Sequence, residues 1–228
     1  GLDLNTHGYT TSKSGNVYSA PKIVRNKGLF HEVFTGLLGS PRVFKLAGST
    51  NSEIDNSFRK QRTARMNIVR FASKKKYSFG AGSKFKMNPK YWDVDATSWN
   101  LKPGADREEA INDLNVNPDK YSIACLAATQ LTMEGGGKSP LTSSSGIAVD
   151  DWIPGDWGYI LNTKFSGLEK DVGLEGENII YAGNDLFWGH FGPGNEYKTL
   201  KEWFDKVKSW HGGALIESDR DYPSVGLE

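Results

Sequence analysis

Apolar and polar positions change period along this chain, and each change marks a different element. Gly176 to His190 contains two short runs of β-branched and aromatic residues, Ile179-Ile180-Tyr181 and Leu186-Phe187-Trp188, on either side of Gly183-Asn184. Gly and Asn tolerate the positive φ of a tight turn, so the spacing predicts a hairpin with Gly183-Asn184 at its tip. Glu177 then lies directly opposite His190, with Cβ atoms roughly 5 Å apart on one face. A slip of one residue pairs His190 with Asn178 instead, so the side-by-side carboxylate and imidazole depend on register.

Elsewhere the period is helical. Thr50-Asn51-Ser52-Glu53 fits a capping box and opens a helix from about 51 to 72, whose polar face carries Arg59, Lys60, Arg62, Arg65 and Arg70, with Lys74-Lys75-Lys76 just beyond. Residues 105–114 predict a short helix with carboxylates crowding its first turn, where the helix dipole favours them. The Ala-rich run Ser122 to Leu131 predicts a buried helix; with Ser122 as N-cap, Cys125 sits at the third helical position, and a start at Asn117-Pro118 puts it a turn deeper. Thr199-Leu200-Lys201-Glu202 is a second capping box, and Leu200, Trp203, Phe204, Val207 and Trp210 trace an apolar stripe that ends at Gly212-Gly213.

The remaining stretches read as loops and extended segments. Residues 1–50 predict loops with one or two short helices, 80–83 a loop, and 84–95 an extended run. Residues 134–147, with Gly135-Gly136-Gly137 and Ser143-Ser144-Ser145-Gly146, predict a flexible loop. Pro154-Gly155-Asp156 predicts a turn feeding a strand through Trp157-Gly158-Tyr159-Ile160-Leu161. The organisation expected is an N-terminal, partly helical basic extension over 1–80 and a catalytic domain over 81–228.

Charge sharpens that division. The net charge of +1 conceals 17 Lys/Arg against 6 Asp/Glu in residues 1–100 and 11 against 21 in the rest, +11 and −10. Such asymmetry suits a nucleic-acid partner for the basic half, or two halves that attract and pack on each other, and the second reading is favoured. The single Cys125 excludes an internal disulfide and a cysteine zinc site. The glycine-rich stretch lacks the Lys-Ser/Thr of a phosphate-binding loop, and there is no calcium-loop pattern. No apolar run has the length of a membrane span, and the N-terminal stretch lacks the basic-then-apolar pattern of a signal peptide. His7 and His31 are isolated, and His211 suits a dipole role at its helix end.

A helix bearing a Cys, then a strand after Pro-Gly-Asp, then a hairpin with Glu and His is the papain-like order, in which a helix-borne thiolate faces a base on an antiparallel sheet. The predicted fold class is α+β, a papain-like core related to NlpC/P60 domains with the N-terminal extension added. Over residues 86–212 the chain resembles the spore-coat protein-glutamine γ-glutamyltransferases of bacteria. Gly176-Glu177-Asn178-Ile179-Ile180, with Gly183, Asp185, Phe187 and His190, carries the closest likeness. Gly155-Asp156 with Tyr159, and Leu101-Lys102, Ala110-Ile111 and Asp113 ahead of Cys125, add to it. The resemblance implies Cys125 as nucleophile, Glu177 as its partner, His190 nearby, and no metal or organic cofactor. Asp156, Trp157, Tyr159 and Trp188 are the candidate substrate-binding residues, the aromatic three lining a tunnel. Implied partners are proteins with exposed Gln and Lys side chains. Two departures stand out: the family's Glu before the Cys is Ala124 here, and a Trp ahead of the Gly-Glu-Asn motif is Leu174. The opening Gly1-Leu2-Asp3 resembles the start of toxin domains released from Rhs-type polymorphic toxins, a setting that implies delivery by a dedicated secretion apparatus and an immunity protein as partner.

Two other functions compete. Pro154-Gly155-Asp156 also resembles NlpC/P60 hydrolases, which implies an amidase or peptidase acting on peptidoglycan with His190 as base. A module that binds nucleic acid through the basic helix, with Cys125 inert, is the distant alternative.

Overall fold

Two long helices cross at a glycine, and one of them opens at Cys125. The computed structural model describes residues 28–228 except 96, 97 and 193, so His7 and Gly1-Leu2-Asp3 lie outside the described residues. In chain order the elements are α1 (Leu29–Gly39), α2 (Asn51–Ser73), β1 (Ser78–Phe79), β2 (Trp92–Val94), β3 (Trp99–Leu101), α3 (Arg107–Val116), β4 (Ser122–Ile123) and α4 (Cys125–Gly137). They continue with β5 (Leu141–Ser144), β6 (Trp157–Leu161), β7 (Gly176–Gly183), β8 (Leu186–Gly189), β9 (Glu196–Lys198), α5 (Leu200–His211), β10 (Leu215–Ile216) and β11 (Arg220–Pro223). Both capping boxes are present: Thr50 with Glu53 opens α2, and Thr199 with Glu202 opens α5.

The fold class is the α+β one expected. Strands run in the order β5-β11-β6-β7-β8-β9, with β10 also on β6, and every pairing in this sheet is antiparallel. Side chains alternate across β7 with the period of two that a strand imposes. Ile180 packs with Ala127, Ala128 and Leu131 of α4 and with Ile68 and Phe71 of α2. Ile179 and Tyr181 pack instead with Trp203 and Val207 of α5. The sheet therefore has two covered faces, with α4 over one and α5 over the other.

Gly135-Gly136-Gly137 is not the expected loop but the last turn of α4. The reason is packing. A Cβ on Gly136 would lie 2.4 Å from Ile68 Cα, and one on Gly135 would lie 2.7 Å from the Phe71 ring. The glycines let α4 approach the backbone of α2, which offsets their poor helix propensity. Ile68, Phe71 and Tyr77, from the N-terminal basic stretch, share one cluster with α4.

The hairpin exists, but its tip is Asn184-Asp185, with φ of 54° and 58°, and a bulge lies between Tyr181 and Gly183. The register pairs Ile179 with Gly189 and Ile180 with Trp188, which continues to Asn178 opposite His190, the one-residue slip. Glu32 on α1 stabilises this turn by accepting from the Asn184 N–H at 2.8 Å and from the Tyr181 hydroxyl.

The basic face of α2 is not uniformly solvated. Arg65 is fully buried and donates to Asp156 at 2.7 Å, as does Arg42, also at 2.7 Å. Asp156 further accepts from the Ile153 N–H at 2.8 Å. Burial opposes its charge, but Arg65 and Arg42 outweigh that and hold its carboxyl below the usual range. Asp156 is thus a buried tie between segments, and the structure places it away from the cavity described below.

Gly136→Ala is expected to destabilise the protein by about 1–3 kcal/mol despite the better helix propensity of Ala, because the added methyl meets backbone that cannot rotate away. Urea denaturation checks this; a variant as stable as the parent contradicts the tight crossing.

Candidate active site

Cys125 is the first residue of α4, with Ala124 as an N-cap that offers no side-chain bond. The expected N-cap, Ser122, instead belongs to β4, whose parallel pairing with β1 sets Ser122 against Ser78 and Ile123 against Phe79. That pairing fixes the approach to the helix and puts Cys125 at its very end. The first N–H groups of a helix have no intrahelical acceptor, and the dipole there favours negative charge.

The thiol is 8% exposed. Its Sγ lies 3.8 Å from the Gly176 carbonyl and accepts from Asn178 Nδ2 at 3.4 Å. Trp157 Nε1 donates to Asn178 Oδ1 at 2.9 Å, which fixes which way that amide faces. Asn178 is the residue that reading the sequence missed. It stands in the quoted Gly-Glu-Asn motif, and the same strand alternation that carries Ile180 to α4 carries Asn178 to Cys125.

Glu177 points the other way along that alternation and is fully buried. One oxygen, Oε1, accepts from the His190 N–H at 3.0 Å, and Oε2 has no partner. Burial pushes its carboxyl well above the ordinary range, against the His190 bond and the nearby Lys206 and Lys75. Burial likewise pushes the Cys125 thiol up, with the Glu177 charge adding to it; the Asn178 amide, the Asn178 N–H and the Leu126 N–H oppose this. Two like charges cannot both form cheaply in a dry site, so ionising either group opposes ionising the other.

His190 is buried in an aromatic box. Its ring meets Tyr77 edge-on at 5.1 Å and stacks on Trp188 at 6.3 Å and 12°. Nε2 lies 2.9 Å from the Ile123 carbonyl, which can only accept, so Nε2 carries the proton. Burial, reinforced by the charge of Lys75, drives its pKa down to about 3, and the ring is neutral at physiological pH. Its polar contacts run to Glu177 and to the strand ahead of Cys125.

A cavity of about 560 Å³ opens over the thiol. Phe85, Val94, Trp99, Leu126 and Val172 supply apolar walls, Asp95 and Glu175 supply carboxylates, and Ala124 stands at the mouth. Tyr159 and Asn178 line both this cavity and a smaller one of about 220 Å³, bordered by Trp157, Glu217, Asp219 and Asp221. Of the four candidate substrate-binding residues, Tyr159 and Trp157 therefore stand at the site. Trp188 does not: it is fully buried in the core beneath His190. Gly176 is required here, because a Cβ would lie 2.3 Å from the Tyr159 hydroxyl. A cavity of similar size, about 580 Å³, lies between α3 and the far end of α4, away from Cys125. Among the described residues no cluster of His, Cys, Asp or Glu could hold a metal ion, and no helix is long and apolar enough to cross a membrane.

The raised carboxyl of Glu177 has a consequence for stability. Folding favours its protonated form, so its contribution is fully present below the unfolded pKa of about 4.3 and is lost as pH rises through the folded value. Glu177→Gln is therefore expected to raise stability by roughly 1–3 kcal/mol at pH 8 and to leave it nearly unchanged at pH 4. Thermal unfolding at the two pH values checks this; equal effects at both would remove burial as the cause.

Comparison with known proteins agrees with this geometry. Residues 28–136 match the family model described as protein-glutamine gamma-glutamyltransferase, a segment that runs from α1 through α4 and includes Cys125. A protein-glutamine gamma-glutamyltransferase of Bacillus pumilus (strain SAFR-032) is 24% identical to this chain, over 67% of this chain and 69% of the relative. A solved transglutaminase from Geobacillus stearothermophilus (without C-terminal extension) superposes with a TM-score of 0.61 at 20% identity, covering 75% of this chain and 93% of that one. The fold, the family match over residues 28–136 and a lone cysteine at a helix N-terminus together support a bacterial transglutaminase-type protein with acyltransferase chemistry.

Proposed function

We propose that this chain transfers the γ-glutamyl group of a protein glutamine through a thioester on Cys125. The observation that carries the reading is Cys125 at a helix N-terminus over an apolar cavity, its sulfur accepting from Asn178, with the Glu177 carboxyl buried next in sequence to that asparagine. Glu177 accepts the thiol proton, and Sγ attacks the side-chain carboxamide carbon. The N–H groups at the start of α4 and the Asn178 amide face the oxyanion as it forms. The C–N bond breaks, and ammonia leaves with the proton that Glu177 returns. A lysine amine then attacks the thioester, its proton passes to Glu177, the C–S bond breaks, and the thiolate is regenerated. Water in place of the amine gives a glutamate, so the same intermediate supports deamidation. Asp95 and Glu175 at the cavity suit a cationic acceptor such as a lysine side chain.

The hydrolase alternative needs His190 as base. The neutral ring, engaged by the Ile123 carbonyl and boxed by aromatics, favours Glu177 in that role. The toxin setting remains part of the proposal for biological context, and the chemistry does not depend on it.

Incorporation of a fluorescent amine into a glutamine-rich protein tests the reaction. Cys125→Ser is expected to abolish it while keeping the fold, and undiminished crosslinking by that variant ends the assignment. Glu177→Gln is expected to lower kcat by about 10²-fold or more, the scale of general acid–base catalysis, and to cost more than His190→Asn. The reverse ranking in folded variants moves the chain to Cys-His hydrolase chemistry.

A further inference from the structure

Three consecutive lysines follow α2, and they do not behave alike. Lys74 and Lys76 are exposed, whereas Lys75 is 2% exposed and turns inward. Burying an ammonium costs several kcal/mol unless partners offset it, so its destination matters. Its Nζ donates to the Gly192 carbonyl at 3.2 Å and to the Gly194 carbonyl. Both belong to the loop that follows His190. The same loop is tied to the end of α2 by Asn195, whose Nδ2 donates to the Ser73 carbonyl at 2.8 Å. The head of the loop, in turn, reaches the site through the two His190 contacts, its N–H to Glu177 and its Nε2 to the Ile123 carbonyl.

Charge adds a second link. Glu177 of β7 and Glu196 of β9 face the Lys75 ammonium attractively, and Lys206 of α5 faces it as a like charge. Glu177 is itself faced by Cys125, Lys206, Glu196 and Lys75, and by the neutral His190. The two cations near Glu177 differ. Lys206 is already ion-paired with Glu196 at 3.3 Å, a carboxylate it shares with Lys198. Among the described residues the hydrogen bonds of Lys75 go to neutral carbonyls, and no carboxylate there ion-pairs with it directly. Burial brings its pKa down to about 8, and Glu196 and Glu177 keep it from falling further.

We infer that Lys75 is a positioning residue of the acyl-transfer site, clamping the loop behind His190 from the end of α2 and supplying a buried positive charge that faces Glu177. Its importance for turnover rests on the proposed function, but its hold on the loop and its charge facing Glu177 do not.

The test is the pH dependence of Cys125 alkylation by iodoacetamide in the full chain, a reaction that requires no transferase activity. Removing a nearby cation makes the anion of the pair harder to form. In Lys75→Met the rising limb is expected to move up by about one pH unit. Lys75→Arg, which keeps the charge, is expected to restore it to within a few tenths. An unmoved limb in a Lys75→Met variant with native circular dichroism overturns the proposal, because a merely structural lysine would not shift a titration. Should that variant fail to fold, Glu177→Gln decides: followed by nitrogen-15 NMR, the Lys75 ammonium is expected to titrate at lower pH, and an unchanged titration refutes the pairing. Amine incorporation measured alongside separates the two claims. A shifted limb in a parent that incorporates no amine leaves Lys75 standing and sinks the transferase reading, and an unmoved limb in an active parent does the opposite.

Discussion

The close crossing of α2 and α4 is the constraint on which the site depends. Gly136 brings α4, the helix that opens at Cys125, against the backbone of α2 at Ile68, and the shared cluster then carries contacts from α2 through α4 to Ile180 and Trp188 of the sheet. Position along α4 is thereby set from its C-terminal end, while β4 sets it from the N-terminal end. Cys125 sits between those two anchors. The length of α2 has a second effect, because the residues just after it bring Lys75 to the loop that follows His190 and Tyr77 against the His190 ring. One helix thus supports both the helix that opens at Cys125 and the loop that follows His190.

The chemistry is bought with buried charge. Glu177 is dry, with an oxygen that has no partner, and the thiol is raised by the same dryness. In water neither group would act as a poised pair, since the carboxyl would be ionised far below the thiol. Burial raises the proton affinity of both, so the carboxyl becomes a far better proton acceptor than it is in water, which suits it to general-base work near neutral pH. Surrounding polar groups then select where the charge rests: Asn178 and the α4 N–H groups favour it on sulfur, and the His190 N–H favours it on the carboxylate. Such a site destabilises the fold it occupies, and function rather than packing accounts for a bare carboxylate at this position.

The opposite charges of the two halves have a structural use. Arg42 and Arg65 converge on Asp156, and Arg65 also bonds Gln61, so the turn before β6 is held from two directions. Breaking one partner of such a node leaves an uncompensated charge in the core. The node sits just before Trp157 and Tyr159, and it aligns the strand that presents both to Asn178 and to the cavity.

Local pattern was enough for much of this molecule. The two capping boxes, the aromatic stripe of α5, the helix bearing Cys125, the hairpin and the α+β order are written in spacings of a few residues, because helix and strand periods and turn dihedrals are local properties. Position within the hairpin was not. The tip fell at Asn184-Asp185, since a bulge at Gly183 and the hold of Glu32 on α1 add information from outside the segment. Gly135 to Gly137 looked like a loop because glycine propensity is local, whereas the need for a backbone contact comes from α2. Asp156 and Trp188 looked like site residues, and Asn178 and Lys75 did not, for one reason. Whether a polar side chain is a tie, a catalyst or a solvated charge depends on which distant group compensates it once water has been excluded, and only the tertiary structure brings those groups together.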